Sequence, residues 1–184
     1  MIQAGASAAE IAAHLDALDD EPRVAELYGT GFSGQKKLWA LASSNNPLTL
    51  ESFVPKAEER TIYRGRNSLP AFQRFEKHFW RASDGGEAFG FNQNSALVSW
   101  FGGPGYFCFS VKDGVIVIDY ARVPATQVPD WPSVEINEKG LGPRLVYAGM
   151  VDYVRRVSDR VVIGEAHKKG KPMGAYFAVT RVER

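Results

Sequence analysis

Cysteine is almost absent from this chain of 184 residues, which contains only Cys108. A single cysteine excludes an intramolecular disulfide and shows no adaptation to an oxidising compartment. Cys108 lies between Phe107 and Phe109 in a segment typical of a strand. Burial among apolar neighbours raises the pKa of a thiol and makes it unreactive. We therefore expect a packed cysteine in a cytoplasmic protein.

Long apolar runs and clustered metal ligands are also lacking. No segment is long and apolar enough to span a bilayer, and residues 1–10 lack the basic and apolar regions of a secretory signal. The chain has three histidines, His14, His78 and His167, and they are scattered singly. A zinc site needs ligands at short spacings. We expect neither membrane insertion nor a bound metal.

A glycine-rich motif, Gly29-Thr30-Gly31-Phe32-Ser33-Gly34, matches the pattern of dinucleotide-binding loops. Such a loop follows a strand, whereas residues 22–28 are typical of a helix. A phosphate-binding P-loop is excluded as well, because Gln35 stands where the required lysine would follow Gly34. The motif is therefore interpreted as a turn between helices, and no cofactor is predicted from it.

The first 55 residues show helical patterns. Ser7 and Glu10 have the spacing of a capping box, which predicts the start of a helix over residues 8–19. Pro22 suits the first turn of a second helix, and Ser33 suits the cap of a third that ends near residue 42. The sequence thus predicts a helical N-terminal part over residues 1–55.

The remaining chain, residues 60–184, combines strands with two further helices. Asp113-Gly114 between β-rich segments predicts a hairpin over residues 106–120, and a second hairpin is predicted over residues 160–182. The apolar run from Val115 to Ile118 is typical of a strand buried on both faces.

Apolar residues at intervals of three and four predict helices over residues 69–81 and 144–158. The fold class predicted from these elements is α+β, in a single domain of residues 1–184. We expect a curved, mostly antiparallel sheet in the C-terminal two-thirds, covered by helices.

Aromatic residues make up 12% of the chain and are concentrated between residues 63 and 131. They would line a concave surface if the sheet curls, although core packing explains them as well. The candidate ligand pocket consists of Tyr106, Tyr120, Trp131, Tyr147 and Arg155. Because no catalytic machinery is identified, the expected function is that of a small-molecule-binding or accessory domain.

Three segments occur in the order found in ADP-ribosyltransferases: Tyr63-Arg64-Gly65, Ser99-Trp100 and Glu165 in a late strand. The chain resembles that family in this respect. The resemblance implies NAD as the cofactor, with Arg64 binding its phosphates, Ser99 shaping the nicotinamide pocket and Glu165 orienting the ribose. A mono-ADP-ribosyltransferase is therefore the alternative function.

A second set of motifs, among them Gly103-Pro104-Gly105-Tyr106-Phe107, Trp131-Pro132 and Val157-Ser158, resembles a family of bacterial proteins. That resemblance covers most of the chain from about residue 48 onward. It implies a single domain and supplies no catalytic residue.

The charge distribution suggests a third alternative. Residues 141–184 carry nine basic and four acidic groups, although the net charge of the whole chain is only +1. A basic face of this kind can bind a protein or a nucleic acid, in which case binding weakens steeply with salt. A solvated surface explains the same surplus, so nucleic acid is not the expected partner.

Overall fold

A closed barrel of eight antiparallel strands forms the body of the computed structural model, which describes residues 5–42, 46–70, 73–93, 105–134 and 149–183. Each strand pairs with its neighbour in the chain, and the first strand pairs with the last. The strands are β1 Thr61–Asn67, β2 Arg74–Arg81, β3 Ala88–Gln93, β4 Tyr106–Lys112, β5 Val115–Asp119, β6 Met150–Arg156, β7 Val161–Lys168 and β8 Lys171–Val182.

The predicted α+β class, with a curved sheet covered by helices, is therefore wrong. The segment 69–81, predicted as a helix, contains β2, and the segment 144–158 contains β6. Phe75 and Phe79 are four residues apart, as are Met150 and Val154. A spacing of four places two side chains on one face of a strand as well as on one face of a helix. The apolar pattern could not distinguish the two.

Both predicted hairpins are confirmed. The β4–β5 turn has positive φ at Asp113 (52°) and Gly114 (74°), and the β7–β8 turn has positive φ at Lys169 (52°) and Gly170 (76°). Two successive positive φ values are typical of the type I′ turn, whose twist matches that of the paired strands. The run from Val115 to Ile118 is not buried on both faces, because buried and half-buried residues alternate along β5.

Three helices pack on the outer wall of the barrel. They are α1 Ala8–Asp16, α2 Asp20–Gly29 and α3 Phe32–Leu41, and the capping box of Ser7 and Glu10 at the start of α1 is confirmed. Their apolar side chains contact outward-facing residues of β7 and β8, among them Ile163 and Ala178. The longest of these helices has ten residues. Within the described residues, no helix has the length and apolar character needed to cross a membrane.

Inside the barrel, two aromatic rings lie beside glycines of the adjacent strand. Gly90 on β3 is the cross-strand partner of Phe107, and Gly164 on β7 is the partner of Phe177. A Cβ atom at Gly164 would lie 2.1 Å from the Cζ atom of Phe177. These rings therefore lie over the neighbouring strand, where only a glycine leaves room, and they fill the middle of the barrel.

Residues 47–54, here called the plug segment, close one end of the barrel. They include a single helical turn, α4 Leu50–Phe53. The ring of Phe53 packs against Tyr63 and Phe79 with centroid distances of 5.0 and 4.7 Å. Tyr63 donates a hydrogen bond to the Phe53 carbonyl at 2.9 Å, and Arg181 donates one to the Ser52 carbonyl at 3.0 Å. The plug segment does not cover the opposite end of the barrel, so a ligand site can lie there.

Candidate ligand cavity

A cavity of about 350 Å³ occupies the end of the barrel away from the plug segment. Its volume lies within the range of small-molecule sites, roughly 300 to 1,000 Å³. A second cavity, between α1 and α3, measures only about 150 Å³. The lining residues of the larger cavity are Asn67, Leu69, Phe75, Lys77, Asn92, Tyr120, Met150, Asp152, Ala166, Lys168, Met173, Ala175, Tyr176 and Phe177.

The wall of this cavity is mostly apolar. Phe75 on β2 and Phe177 on β8 provide aromatic rings that meet edge to face, with centroids 6.1 Å apart. Met150 and Met173 add flexible side chains, which adapt to irregular shapes. Ala166 leaves space on β7. A wall of this composition suits an apolar ligand.

Four polar side chains lie at the inner end of the cavity: Lys77, Asn92, Tyr120 and Asp152, here called the polar cluster. Lys77 Nζ donates to Asn92 Oδ1 at 2.9 Å and to the Tyr120 hydroxyl. The Tyr120 hydroxyl donates in turn to Asp152 Oδ2 at 2.9 Å. Lys77 Nζ and Asp152 Oδ2 are 3.5 Å apart. The cluster thus joins a cation and an anion both directly and through a phenol.

Strand alternation explains how the cluster forms. Lys77 follows Phe75 by two residues on β2, and Asp152 follows Met150 by two residues on β6. Positions two apart on a strand share a face, so both charged side chains point into the barrel with their apolar neighbours. Along both strands the charged residue lies farther from the open end. The polar cluster is therefore at the bottom of the cavity.

Burial dominates the electrostatics of the two charged groups. Lys77 is 2% exposed and Asp152 is 3% exposed. Loss of hydration lowers the pKa of Lys77 and raises the pKa of Asp152, while the attraction between the two groups opposes both shifts. Desolvation therefore brings the charged and the neutral forms of the pair closer in free energy than they would be in water.

Aromatic rings surround the Lys77 amine on several sides. Its Nζ atom lies 4.9 Å from the ring centroid of Phe107, 5.0 Å from that of Phe177 and 5.1 Å from that of Tyr120. The negative faces of such rings attract a cation within about 6 Å. The rings thus compensate in part for the hydration that the amine loses.

The structure does not bring the predicted pocket residues together. Tyr120 lines the cavity, but Tyr106 and Trp131 belong to an apolar cluster on the outer wall. Arg155 also lies outside, with its guanidinium carbon 3.9 Å from the ring centroid of Trp39. The remaining predicted residue, 147, lies outside the described residues.

Two of the residues carried over from ADP-ribosyltransferases lie on the outer wall. Arg64 on β1 forms ion pairs with Glu21 and Glu76, and Glu165 on β7 lies 2.8 Å from His167. Strand β8 separates their two strands. Position 99 lies outside the described residues, so the proposed roles of the three residues remain predictions.

Three basic residues of the C-terminal segment have partners at different places on the barrel. Arg155 stacks on Trp39, Arg160 pairs with Glu183 at 2.8 Å, and Arg181 contacts the plug segment. A continuous basic surface is the usual footprint of a nucleic-acid site. Nor do the described residues contain a group of three or more His, Cys, Asp or Glu side chains placed to hold a metal ion.

No protein-family model matches the chain, and neither the curated proteins nor the solved structures include a significant match. A fold by itself does not imply a function, because one architecture supports many. The function of this chain is therefore inferred from the cavity and the polar cluster.

Proposed function

We propose that this protein binds one small, mostly apolar molecule with a single polar group in the cavity at the open end of the barrel. The observation that supports this function is the combination of an apolar wall with the buried polar cluster at its inner end. Ligand sites typically combine a largely apolar lining with a few placed polar groups.

The filling of the barrel interior supports this proposal. An eight-stranded barrel has an interior that side chains can fill or that can hold one small ligand. Here the half next to the plug segment is packed with rings such as Tyr63, Phe79 and Phe109. The other half retains about 350 Å³ of space. Space of this size in an otherwise close-packed interior is consistent with an occupant.

The buried ion pair also favours a functional explanation over a purely structural one. Replacing a buried pair by apolar residues of similar volume often leaves stability unchanged or increases it. An apolar pair of similar volume would be expected to hold the barrel together as well as Lys77 and Asp152 do. Strongly perturbed charged groups, in contrast, are concentrated at functional sites.

The expected ligand is uncharged, or carries only one weak charge, at its polar end. Lys77 and Asp152 already balance each other, so a fully charged group entering this space would lose hydration without a free counter-ion. A carbonyl or hydroxyl group can instead exchange hydrogen bonds with Lys77, Tyr120 or Asn92.

A fluorescence titration with prodan, an uncharged naphthalene dye that carries a ketone, tests this proposal. We compare the wild-type protein with Ala166→Trp, which adds an indole to the cavity wall, and with Ala25→Trp, which adds one to an exposed position on α2. We expect Ala166→Trp to weaken binding at least roughly tenfold, or about 1.4 kcal/mol, and Ala25→Trp to leave it unchanged. Equal dye binding by both variants would show that the cavity is not the site.

A further inference from the structure

Two of the cavity-lining residues described here carry amines, and they differ in position. Lys168 ends β7 at the mouth of the cavity, whereas Lys77 lies at its inner end. The neighbours of Lys77 are aromatic rings and the other members of the polar cluster. A molecule that fills the cavity lengthwise would place its inner end against this amine.

The hydrogen bonds around Lys77 form a route for protons. Its ammonium group donates to the Tyr120 hydroxyl, and that hydroxyl donates to the Asp152 carboxylate. If one proton moves from Lys77 to the phenol oxygen while the phenol proton moves to Asp152, the products are a neutral amine and a neutral carboxylic acid. Burial lowers the pKa of Lys77 and raises that of Asp152, which favours this neutral pair.

From this arrangement we infer that Lys77 captures an apolar aldehyde as a protonated imine, with Asp152 as the counter-ion of the imine and Tyr120 as the proton relay. The inference rests on the proposed binding function, because the aldehyde must first occupy the cavity. It goes further by naming the chemical class of the ligand and the atom with which it reacts.

The reaction balances without any further reagent. The lone pair of the Lys77 nitrogen forms a bond to the carbonyl carbon while the carbonyl π electrons move to oxygen, which takes the proton held by Asp152. A second proton then passes from nitrogen to that oxygen through Tyr120. The C–O bond breaks, and water leaves through the open end of the cavity. The remaining C=N⁺–H group faces the Asp152 carboxylate, and no atom is oxidised or reduced.

The charges of the polar cluster are the same before and after this reaction. An ammonium group beside a carboxylate becomes an iminium group beside the same carboxylate. The surrounding rings of Phe107 and Phe177 attract either cation. A desolvated lysine in a hydrophobic pocket is a recognised nucleophile toward carbonyl groups. The site is therefore preorganised for the iminium product as well as for the ammonium form of Lys77.

Reductive trapping provides the test. The intact protein is incubated with trans-cinnamaldehyde and sodium cyanoborohydride, and modified peptides are identified by mass spectrometry. Trapping adds the mass of the aldehyde less one oxygen atom to each reacting lysine. Lys56, whose side chain is 74% exposed, serves as an internal reference. We expect Lys77 to react at least roughly tenfold faster than Lys56, a difference of about 1.4 kcal/mol in the barrier.

Three matched controls separate cavity chemistry from general lysine labelling. Cinnamyl alcohol has the same apolar body without the carbonyl group, so it should suppress labelling of Lys77 but not of Lys56. The substitution Ala166→Trp should likewise suppress labelling of Lys77 but not of Lys56. Ala25→Trp should leave the labelling of both lysines unchanged. Tyr120→Phe removes the relay oxygen, so we expect imine formation at Lys77 to slow by a larger factor than prodan binding weakens in the same variant.

The outcomes distinguish this inference from the proposed function. If the protein binds prodan but Lys77 reacts no faster than Lys56, the imine is refuted and reversible binding stands. If Lys77 reacts equally fast in Ala166→Trp, the aldehyde does not reach it through the cavity and the inference also fails. If prodan does not bind and Lys77 reacts no faster than Lys56, both the proposed function and the imine are refuted.

Discussion

The Nζ atom of Lys77 and the Oδ2 atom of Asp152 lie 3.5 Å apart inside the barrel, on strands β2 and β6. Three strands, β3 to β5, lie between them on one side of the barrel, and three, β1, β8 and β7, lie between them on the other. The two side chains therefore meet across the interior rather than along the sheet. Their contact exists only because the sheet closes.

The first prediction concerns the stability of this pair. Lys77→Met or Asp152→Leu alone leaves one buried charge without its partner, which costs about 3–5 kcal/mol. The double substitution should cost much less than the sum, because two apolar side chains of similar volume fill the space. Urea denaturation of the four proteins measures the coupling. Additive effects of the single substitutions would contradict a coupled pair.

The second prediction concerns pH. In Lys77→Met, the pKa of Asp152 rises further above its unfolded value, because burial still raises it and the attraction of the ammonium group is lost. Between the unfolded and the folded pKa, the folded chain holds a proton that the unfolded chain releases. Stability therefore falls as pH rises through this window, by up to about 1.4 kcal/mol per pH unit.

Thermal unfolding over a pH series measures this effect. Relative to wild type, we expect Lys77→Met to lose more stability at alkaline than at mildly acidic pH. The double variant Lys77→Met/Asp152→Leu has no carboxyl group at this position, so its difference from wild type should not show that trend. A cost of Lys77→Met that is independent of pH would show that Asp152 stays ionised throughout.

Local features of the fold were predictable from the sequence, whereas its closure was not. Asp113-Gly114 predicts its hairpin because a type I′ turn needs two positive φ values, which Asp and Gly tolerate. Barrel closure depends instead on the pairing of β1 with β8, whose first and last residues, Thr61 and Val182, are far apart in the chain. Such pairing has no local sequence signal.

The site was missed for a related reason. Of the predicted pocket residues that the structure describes, only Tyr120 lines the cavity. Lys77 and Asp152 could have been found only by treating residues 74–81 and 150–156 as strands. Two-residue spacing then places Lys77 on the face of Phe75 and Phe79, and Asp152 on the face of Met150 and Val154. A charged residue on an otherwise apolar face of a strand indicates a candidate site. Interpreting these two segments as helices hides that pattern.

The third prediction concerns the glycine under an aromatic ring. Gly164→Ala places a methyl group 2.1 Å from the Cζ atom of Phe177, so the ring must move. We expect a loss of about 1–3 kcal/mol in stability and weaker dye binding, since Phe177 lines the cavity. Gly29→Ala at the end of α2 is the matched control, because a Cβ atom there meets nothing within 4 Å. Equal effects in the two variants would contradict this account.

The fourth prediction separates the two ends of the barrel. Phe53→Ala removes a ring that is 1% exposed and should cost about 3–5 kcal/mol in chemical denaturation. Phe32→Ala removes a ring that is 50% exposed and should change stability by less than about 0.5 kcal/mol. Because the plug segment lies opposite the cavity, Phe53→Ala should still bind prodan below its unfolding transition. Loss of dye binding in the folded variant would show that the ends are coupled.

The fifth prediction uses Cys108, the only cysteine of the chain, as a reporter of the outer wall. Burial raises the pKa of its thiol, and it packs in a cluster with Phe89 and Trp131. We expect iodoacetamide to alkylate native Cys108 far more slowly than the urea-unfolded chain, since the thiolate is the nucleophile. Trp131→Ala should accelerate the reaction, whereas Trp39→Ala, which removes a ring that packs with Tyr176 elsewhere on the barrel, should not. Equal rates in native and unfolded protein would place the thiol in solvent and contradict the packing of this cluster.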